Sequence, residues 1–143
     1  MKALILAAGY GKRLRPIANE IPKCMVEVGG VPLLINALNN LVEIGISEVG
    51  IVVGHKADYI KEKIGTSYKN ARISYFKNEK FLETNNIYSL YMASEFCDDE
   101  MLLLEADLFY KEFDIKIVNV LESSWHEIDD IDDLERARKS ASL

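Results

Sequence analysis

Leu6-Ala7-Ala8-Gly9-Tyr10-Gly11-Lys12-Arg13-Leu14 joins a continuously apolar run, Ala3 to Ala7, to a glycine-rich basic loop. Such a run suits a central parallel strand, which helices cover on both faces. Two glycines one residue apart let the backbone turn sharply and approach a ligand closely. The N–H nests formed by such turns bind phosphate oxygens. Lys12 and Arg13 add charge beside the nest, and an arginine can grip phosphate through two parallel hydrogen bonds. Pro16 ends the loop. On spacing alone the stretch is either an ordinary tight strand-to-helix turn or a phosphate cradle. It is not a Walker A loop, because no Gly-Lys-Ser/Thr closes it, and Leu14 stands where a dinucleotide fingerprint would place its third glycine.

Outward from this loop, strand and helix patterns alternate. Pro32 opens a helical pattern with Leu34, Ala37, Leu38, Leu41 and Ile44 on one face, and Gly45 suits its stop. Val49 to Val53 is the next β-branched apolar run, ending at Gly54. Ala57 to Ile64 reads as a helix, Ala71 to Phe76 alternates like a strand, and Ile87, Leu90, Tyr91 and Ser94 share one helical face. Met101 to Leu104 reads as another buried strand, Ile115 to Val120 is β-like, and Ile131, Leu134 and Ala137 mark a final amphipathic helix. This order predicts βαβ units, hence an α/β fold with a mainly parallel sheet and helices on both faces. Ligands in such folds sit outside the carboxyl ends of the strands. The segments to inspect are therefore Ala8–Arg15, Gly54–His55, Phe76–Asn86 and Glu105–Asp107.

The chain has 143 residues, 49% apolar and 28% charged, and is expected to form one domain over 1–143. Its net charge of −6 argues against a nucleic-acid partner. A small anion remains compatible, since local Lys, Arg and N–H groups outweigh global charge. Cys24 and Cys97 read as free thiols in a reducing cytoplasm. Met1 to Ala8 carries one positive charge and a short apolar run, but it ends in the basic loop with no cleavage-type site. No apolar stretch approaches membrane-spanning length, so no membrane partner is expected.

Three further features carry polar chemistry. In Glu83-Thr84-Asn85-Asn86-Ile87-Tyr88-Ser89-Leu90-Tyr91, either Asn86 or Thr84 is placed to cap the helix that begins near Ile87. Asn85, Asn86 and Ser89 together offer donors and acceptors suited to a base edge or ribose. Asp107 follows a strand at the ligand edge of the sheet and reads as a turn residue or a metal ligand. Asp129 precedes the last helix and reads as its N-cap or as a second ligand. Asp130, Asp132 and Asp133 read as a solvated helix start.

Four elements in order, Leu6-Ala-Ala-Gly9-x-Gly11-x-Arg13-Leu14-x-Pro16, Pro22-Lys23, Val28-Gly-Gly-Val and Pro32-Leu33, closely resemble the opening of the sugar-phosphate and phosphocholine nucleotidyltransferases. The Asn85–Leu90 stretch is similar to the Asn-x-Tyr-Ser-Leu segment of phosphocholine and phosphonate cytidylyltransferases. Glu105-x-Asp107 and Trp125-His126-Glu127-Ile128-Asp129 resemble that family's two metal-binding elements. The resemblance implies a Rossmann-like nucleotidyltransferase fold with a triphosphate neutralised by Arg13 and Lys23. It implies nucleotide contacts from Leu6, Ala8, Gly9, Gly11, Asn85, Asn86, Ser89 and Glu105, and Mg²⁺ on Asp107 and Asp129. CTP is favoured over UTP, dTTP or GTP, with a small phosphomonoester or phosphonate such as phosphocholine as acceptor. Ala18, where many members have threonine, and Ala106, usually glycine, depart from the pattern.

The implied reaction is in-line attack of an acceptor phosphate oxygen on the α-phosphorus of CTP, with pyrophosphate leaving. That oxygen is already ionised near pH 7, so no general base is required, and catalysis is positioning plus charge neutralisation. Tyr88, Tyr91, Tyr110 and Trp125 are the aromatics available to a choline headgroup. The family carries a much longer segment where only about twenty residues here separate Asp107 from Asp129. An active cytidylyltransferase, or a sugar-1-phosphate enzyme using another nucleotide, therefore stands at this point beside two readings of other classes: a nucleotide-binding module with little turnover and a pure interaction domain. A shortened middle also leaves sheet edge uncovered, which favours a homodimer.

Overall fold

The computed structural model describes residues 1–97, 100–110 and 125–141. The β-like run at 115–120 lies outside them. The elements are β1 (Lys2–Ala7), α1 (Ile17–Glu20), β2 (Glu27–Val28), β3 (Val31–Pro32), α2 (Leu33–Glu43) and β4 (Glu48–Val53). They continue with α3 (Ala57–Ile64), β5 (Ser67–Tyr68), β6 (Ala71–Lys77), α4 (Asn86–Met92) and β7 (Met101–Glu105), then β8 (Leu108–Tyr110), β9 (Trp125–Glu127) and α5 (Ile131–Ala141).

Five strands form one sheet in the order β5-β6-β4-β1-β7. β6, β4, β1 and β7 run parallel, and β5 closes on β6 as an antiparallel pair. β1 lies between β4 and β7, with Ile5 opposite Ile51 on one side and Leu104 on the other. Successive side chains of a strand point to opposite faces, and β1 uses both. Ala3, Ile5 and Ala7 join Val49, Ile51 and Val53 against Leu34, Ala37, Leu38 and Leu41 of α2 and Ile60 and Ile64 of α3. Leu4, Leu6 and Val52 pack on the opposite face with Phe76, Leu90, Ala93 and Phe96, beneath α4. This two-sided burial is why Ala3–Ala7 is apolar throughout. A fully buried leucine or isoleucine contributes about 1.5–3 kcal/mol.

A third cluster lies beside the sheet. Leu14, Ala18, Val26, Val28 and Leu33 bury Ile128, Leu134 and Ala137. It clamps α5 onto the segment that follows the glycine-rich loop, bringing the two ends of the chain together. The short pairs β2–β3 and β8–β9 are antiparallel.

Three expectations are corrected. Met101–Leu104 forms a strand, but among the described residues it is the edge of the sheet: Leu104 is buried while Leu103 is 51% exposed. In α4, Ile87 and Tyr91 face solvent, and the helix instead buries Ser89. A polar residue can turn inward there because Asn78 donates a hydrogen bond to its hydroxyl. The cap of α4 is neither Thr84 nor Asn86 but Asn85, whose side-chain oxygen accepts from the N–H groups of Ile87 and Tyr88. Thr84 is instead engaged with Asn78 and with the Lys80 carbonyl. Among the described residues no helix is long and apolar enough to cross a membrane.

Candidate active site

The carboxyl ends of β1 and β7 open into one cleft, and the local sequence explains how each side chain reaches it. After β1, Ala8 stays buried and the chain turns through Gly9 to Gly11, where φ is +66°. Leu14 then returns its N–H to the Gly11 carbonyl at 3.0 Å and drops fully buried into the third cluster. The turn Lys12–Leu14 is thereby anchored from below, with Arg13 left on the cleft side. Pro22 holds an extended backbone, and the next turn buries Cys24 and Met25. Lys23 is carried to the underside of the loop, where a Cβ at Gly11 would stand 3.1 Å from its own Cβ.

Asp107 is fixed through the backbone. The Ala106 N–H donates to the Leu6 carbonyl at 3.1 Å, extending the β7–β1 ladder one residue past the strand. The Asp107 carbonyl accepts from the Ile128 N–H at 2.8 Å. Asn36 of α2 then brackets Tyr110 as a neighbouring strand would. Its amide donates to the Tyr110 carbonyl at 2.9 Å, and its oxygen accepts the Tyr110 N–H at 2.8 Å. Asp129 enters from the other end of the chain. The start of α5 is capped without it: Asp130 accepts from the Asp133 N–H, and the Asp133 carboxylate accepts from the N–H groups of Asp129 and Asp130. That arrangement leaves the Asp129 carboxylate available to the cleft.

Four charges meet there. Lys23 Nζ donates to Asp107 Oδ2 at 2.8 Å and to Asp129 Oδ1 at 2.9 Å. Arg13 Nη2 lies 2.7 Å from Asp129 Oδ2. The Lys23 side chain is only 14% exposed, against 67% for Arg13, so the lysine is the enclosed cation of the set. The hydrogen bond from Lys23 holds the Asp129 carboxyl below its ordinary range, with the charge of Arg13 adding to it. Asp107 Oδ1 is buried and has no hydrogen-bond partner. The Tyr110 hydroxyl is pushed up to about 12, first by burial and then by the charges of Asp107 and Glu105.

The cleft gathers Leu6, Ala8, Gly9, Gly11, Arg13, Lys23, Asn86, Glu105, Asp107 and Asp129. Asn86 Nδ2 donates to Glu105 Oε1 at 2.7 Å, tying the first residue of α4 to the end of β7. Asn85 and Ser89 do not line it, since one caps the helix and the other is buried under it. Lys12, Cys24 and Ala106 also line the cleft. Burial raises the Cys24 thiol to about 12, so it is a wall rather than a nucleophile. Among the described residues no group of three or more His, Cys, Asp or Glu is placed to hold a metal ion. Two carboxylates converging on one cation nevertheless fit a Mg²⁺ ion, which takes one or two carboxylates and completes its shell with phosphate and water. The unpartnered Asp107 oxygen is a ready additional acceptor for such a cation.

Sequence reasoning missed two supports. Asn78, 1% exposed, donates to Thr84 Oγ1 and Ser89 Oγ at 3.0 Å each and accepts the Lys80 N–H at 2.9 Å, holding the approach to α4. Tyr10 packs edge-on against His55 with ring centroids 4.5 Å apart, with Phe81 behind and Arg15 over its ring, and so backs the glycine-rich loop. Burial lowers the His55 pKa, keeping the imidazole neutral at pH 7. Both supports lie in segments that the strand-end rule singles out, but which residue would turn inward depends on packing.

Residues 2–128 match the nucleotidyl transferase family, and the chain belongs to it. It is 43% identical over 98 residues to the choline-phosphate cytidylyltransferase of Streptococcus pneumoniae, covering 66% of this chain and 40% of that protein. It is 37% identical over 111 residues to the CMP-5'-(3-aminopropyl)phosphonate synthase of Streptomyces rubellomurinus, covering 78% of this chain and 18% of the other. The solved structure of the CTP:phosphocholine cytidylyltransferase from Streptococcus pneumoniae superposes with a TM-score of 0.63 at 38% identity, covering 78% of this chain and 46% of that one. The chain thus spans less than half the length of each of these relatives.

Proposed function

We propose that the chain binds a nucleoside triphosphate, CTP in preference to others, together with Mg²⁺, and transfers CMP to a small phosphomonoester or phosphonate with release of pyrophosphate. The observation that carries this reading is the convergence of Arg13, Lys23, Asp107 and Asp129, from separate stretches of the chain, beneath one glycine-rich loop. The names of the relatives support the choice of CTP and of a phosphocholine-like acceptor.

In this reading the N–H groups of Ala8, Gly9 and Gly11 face the phosphates, and Arg13 and Lys23 neutralise them. Asn86, held by Glu105, stands at the base end of the cleft. Asp107 and Asp129 would hold the metal ion, which when bound draws negative charge from the phosphates. The chain's own contribution is orientation and charge, since neither buried Cys24 nor neutral His55 is needed as nucleophile or acid.

A second reading is retained because only about twenty residues separate Asp107 from Asp129: the chain binds the nucleotide and turns it over poorly. Calorimetry with CTP and Mg²⁺ tests binding, and pyrophosphate release with phosphocholine or 2-aminoethylphosphonate tests turnover. Binding with release supports transfer, whereas binding without release supports the module. No binding of any nucleoside triphosphate at millimolar concentration overturns both. Lys23→Ala and Asp107→Ala are each expected to weaken CTP–Mg²⁺ binding, and unchanged affinity in both removes the site assignment.

A further inference from the structure

Lys23 is required in two places. Its ammonium bridges Asp107 Oδ2 and Asp129 Oδ1, the same carboxylates that would hold a divalent cation. It also belongs to the set that would neutralise a triphosphate. Two of the ammonium's three donors are committed to these carboxylates, so its charge is shared with them and at most one donor is left for a phosphate. Arg13 likewise engages the second oxygen of Asp129 through one of its nitrogens.

Without ligands, two cations and two carboxylates balance. A triphosphate alone would have to draw Lys23 and Arg13 away and leave Asp107 and Asp129 uncompensated beside its own charge. A divalent cation on the carboxylates makes both basic side chains surplus, and a triphosphate then takes them. We propose that Lys23 is an internal stand-in cation: it fills the metal's place in the ligand-free protein and passes to the triphosphate when the metal arrives, so that metal and nucleotide bind cooperatively. The proposal rests on the functional reading above. It gives the reason why an enclosed lysine should sit between two carboxylates in a cleft built for phosphate.

Mn²⁺ alone is the first probe, with no nucleotide present. Removing the competitor should tighten metal binding, so Lys23→Met is expected to bind Mn²⁺ about tenfold more tightly than the wild-type chain, the scale of one charge-assisted hydrogen bond. The same variant should bind CTP more weakly, and CTP should tighten Mn²⁺ binding far less in it than in the wild type. Circular dichroism checks that the variant folds. The wild-type chain supplies a measurement independent of that: acetylation of Lys23, read by peptide mass spectrometry. Saturating Mn²⁺ should raise its rate severalfold, and CTP added with Mn²⁺ should lower it again.

A folded Lys23→Met that binds Mn²⁺ no more tightly than wild type, or a Lys23 acetylation rate indifferent to saturating Mn²⁺, overturns the proposal. So does failure of the wild-type chain to bind Mn²⁺ at millimolar concentration. If Mn²⁺ frees Lys23 while no nucleoside triphosphate binds, the exchange stands and the nucleotide reading falls.

Discussion

Gly9 and Gly11 stand two residues apart in one loop, yet their replacement by alanine should fail in different ways. Gly11 has φ of +66°, and a Cβ there would stand 3.1 Å from Lys23 Cβ and 3.3 Å from Ala18 Cβ. The left-handed backbone costs a non-glycine residue about 1–2 kcal/mol, and the two contacts require each neighbour to give by a few tenths of an ångström. Together Gly11→Ala should destabilise the fold by about 1–3 kcal/mol. At about 2.1 cal/mol/K per residue, the unfolding entropy of a chain this size converts that to a fall in Tm of about 3–10 °C. Gly9 does not have positive φ, and a Cβ there meets nothing within 4 Å. Gly9→Ala should therefore melt within about a degree of wild type. Its methyl would stand in the open space that the proposed function gives to the phosphates, so on that proposal CTP–Mg²⁺ affinity should fall at least about tenfold, the loss of one charge-assisted hydrogen bond. Thermal melts and calorimetry on both variants separate fold from site. A Gly9→Ala chain that melts several degrees low, or a Gly11→Ala chain that melts like wild type, refutes the structural argument. A Gly9→Ala chain with unchanged affinity removes the loop as the phosphate cradle.

Two further outcomes follow from the supports of the site. Asn78→Ala leaves Ser89, Thr84 and the Lys80 N–H without their shared partner and should cost about 1–3 kcal/mol, measured by urea unfolding; a loss below 0.5 kcal/mol would show that Asn78 is not the hub of that turn. The Asp129 carboxyl is held below its ordinary range by the hydrogen bond from Lys23 and then by the charge of Arg13, so its contribution to stability is fully present at neutral pH and is lost as pH falls from about 4 through the folded value. Asp129→Asn should therefore flatten the acid limb of the stability–pH curve relative to wild type, and a limb of unchanged steepness would place the acid-sensitive groups elsewhere.

The fold was legible where one physical demand shaped a whole run of residues. Ala3–Ala7 had to be apolar throughout because β1 is covered on both faces, and the spacing in α2 reports a single buried stripe. The same reasoning misjudged Met101–Leu104, because an apolar run announces a strand but not its neighbours. Leu103 is exposed because β7 is the sheet's edge among the described residues, and strand order is not set by the run itself. In α4 the spacing announces the helix but not which of its faces is buried, for a related reason. Ile87 and Tyr91 are the more apolar face, but Asn78 can hydrogen-bond only what α4 turns toward it, and Ser89 is the residue so turned.

The site divides along the same line between local and non-local causes. The turn at Gly9–Gly11 follows from residues within a few positions of each other, so its geometry could be read directly. Asp129 could not be assigned from its neighbourhood, where a helix cap and a cleft ligand were equally open. What settles its placement is a cap formed by two other aspartates, Asp130 and Asp133, which takes over the local role. The third hydrophobic cluster then carries the freed carboxylate to within 2.9 Å of a lysine 106 positions away in sequence. The acidic run before α5 therefore contains two kinds of aspartate. One kind stabilises the helix start, and the other is free to meet Lys23 because the first kind is present. Asp130 and Asp133 thus act on the cleft without lining it, through the position they give to Asp129.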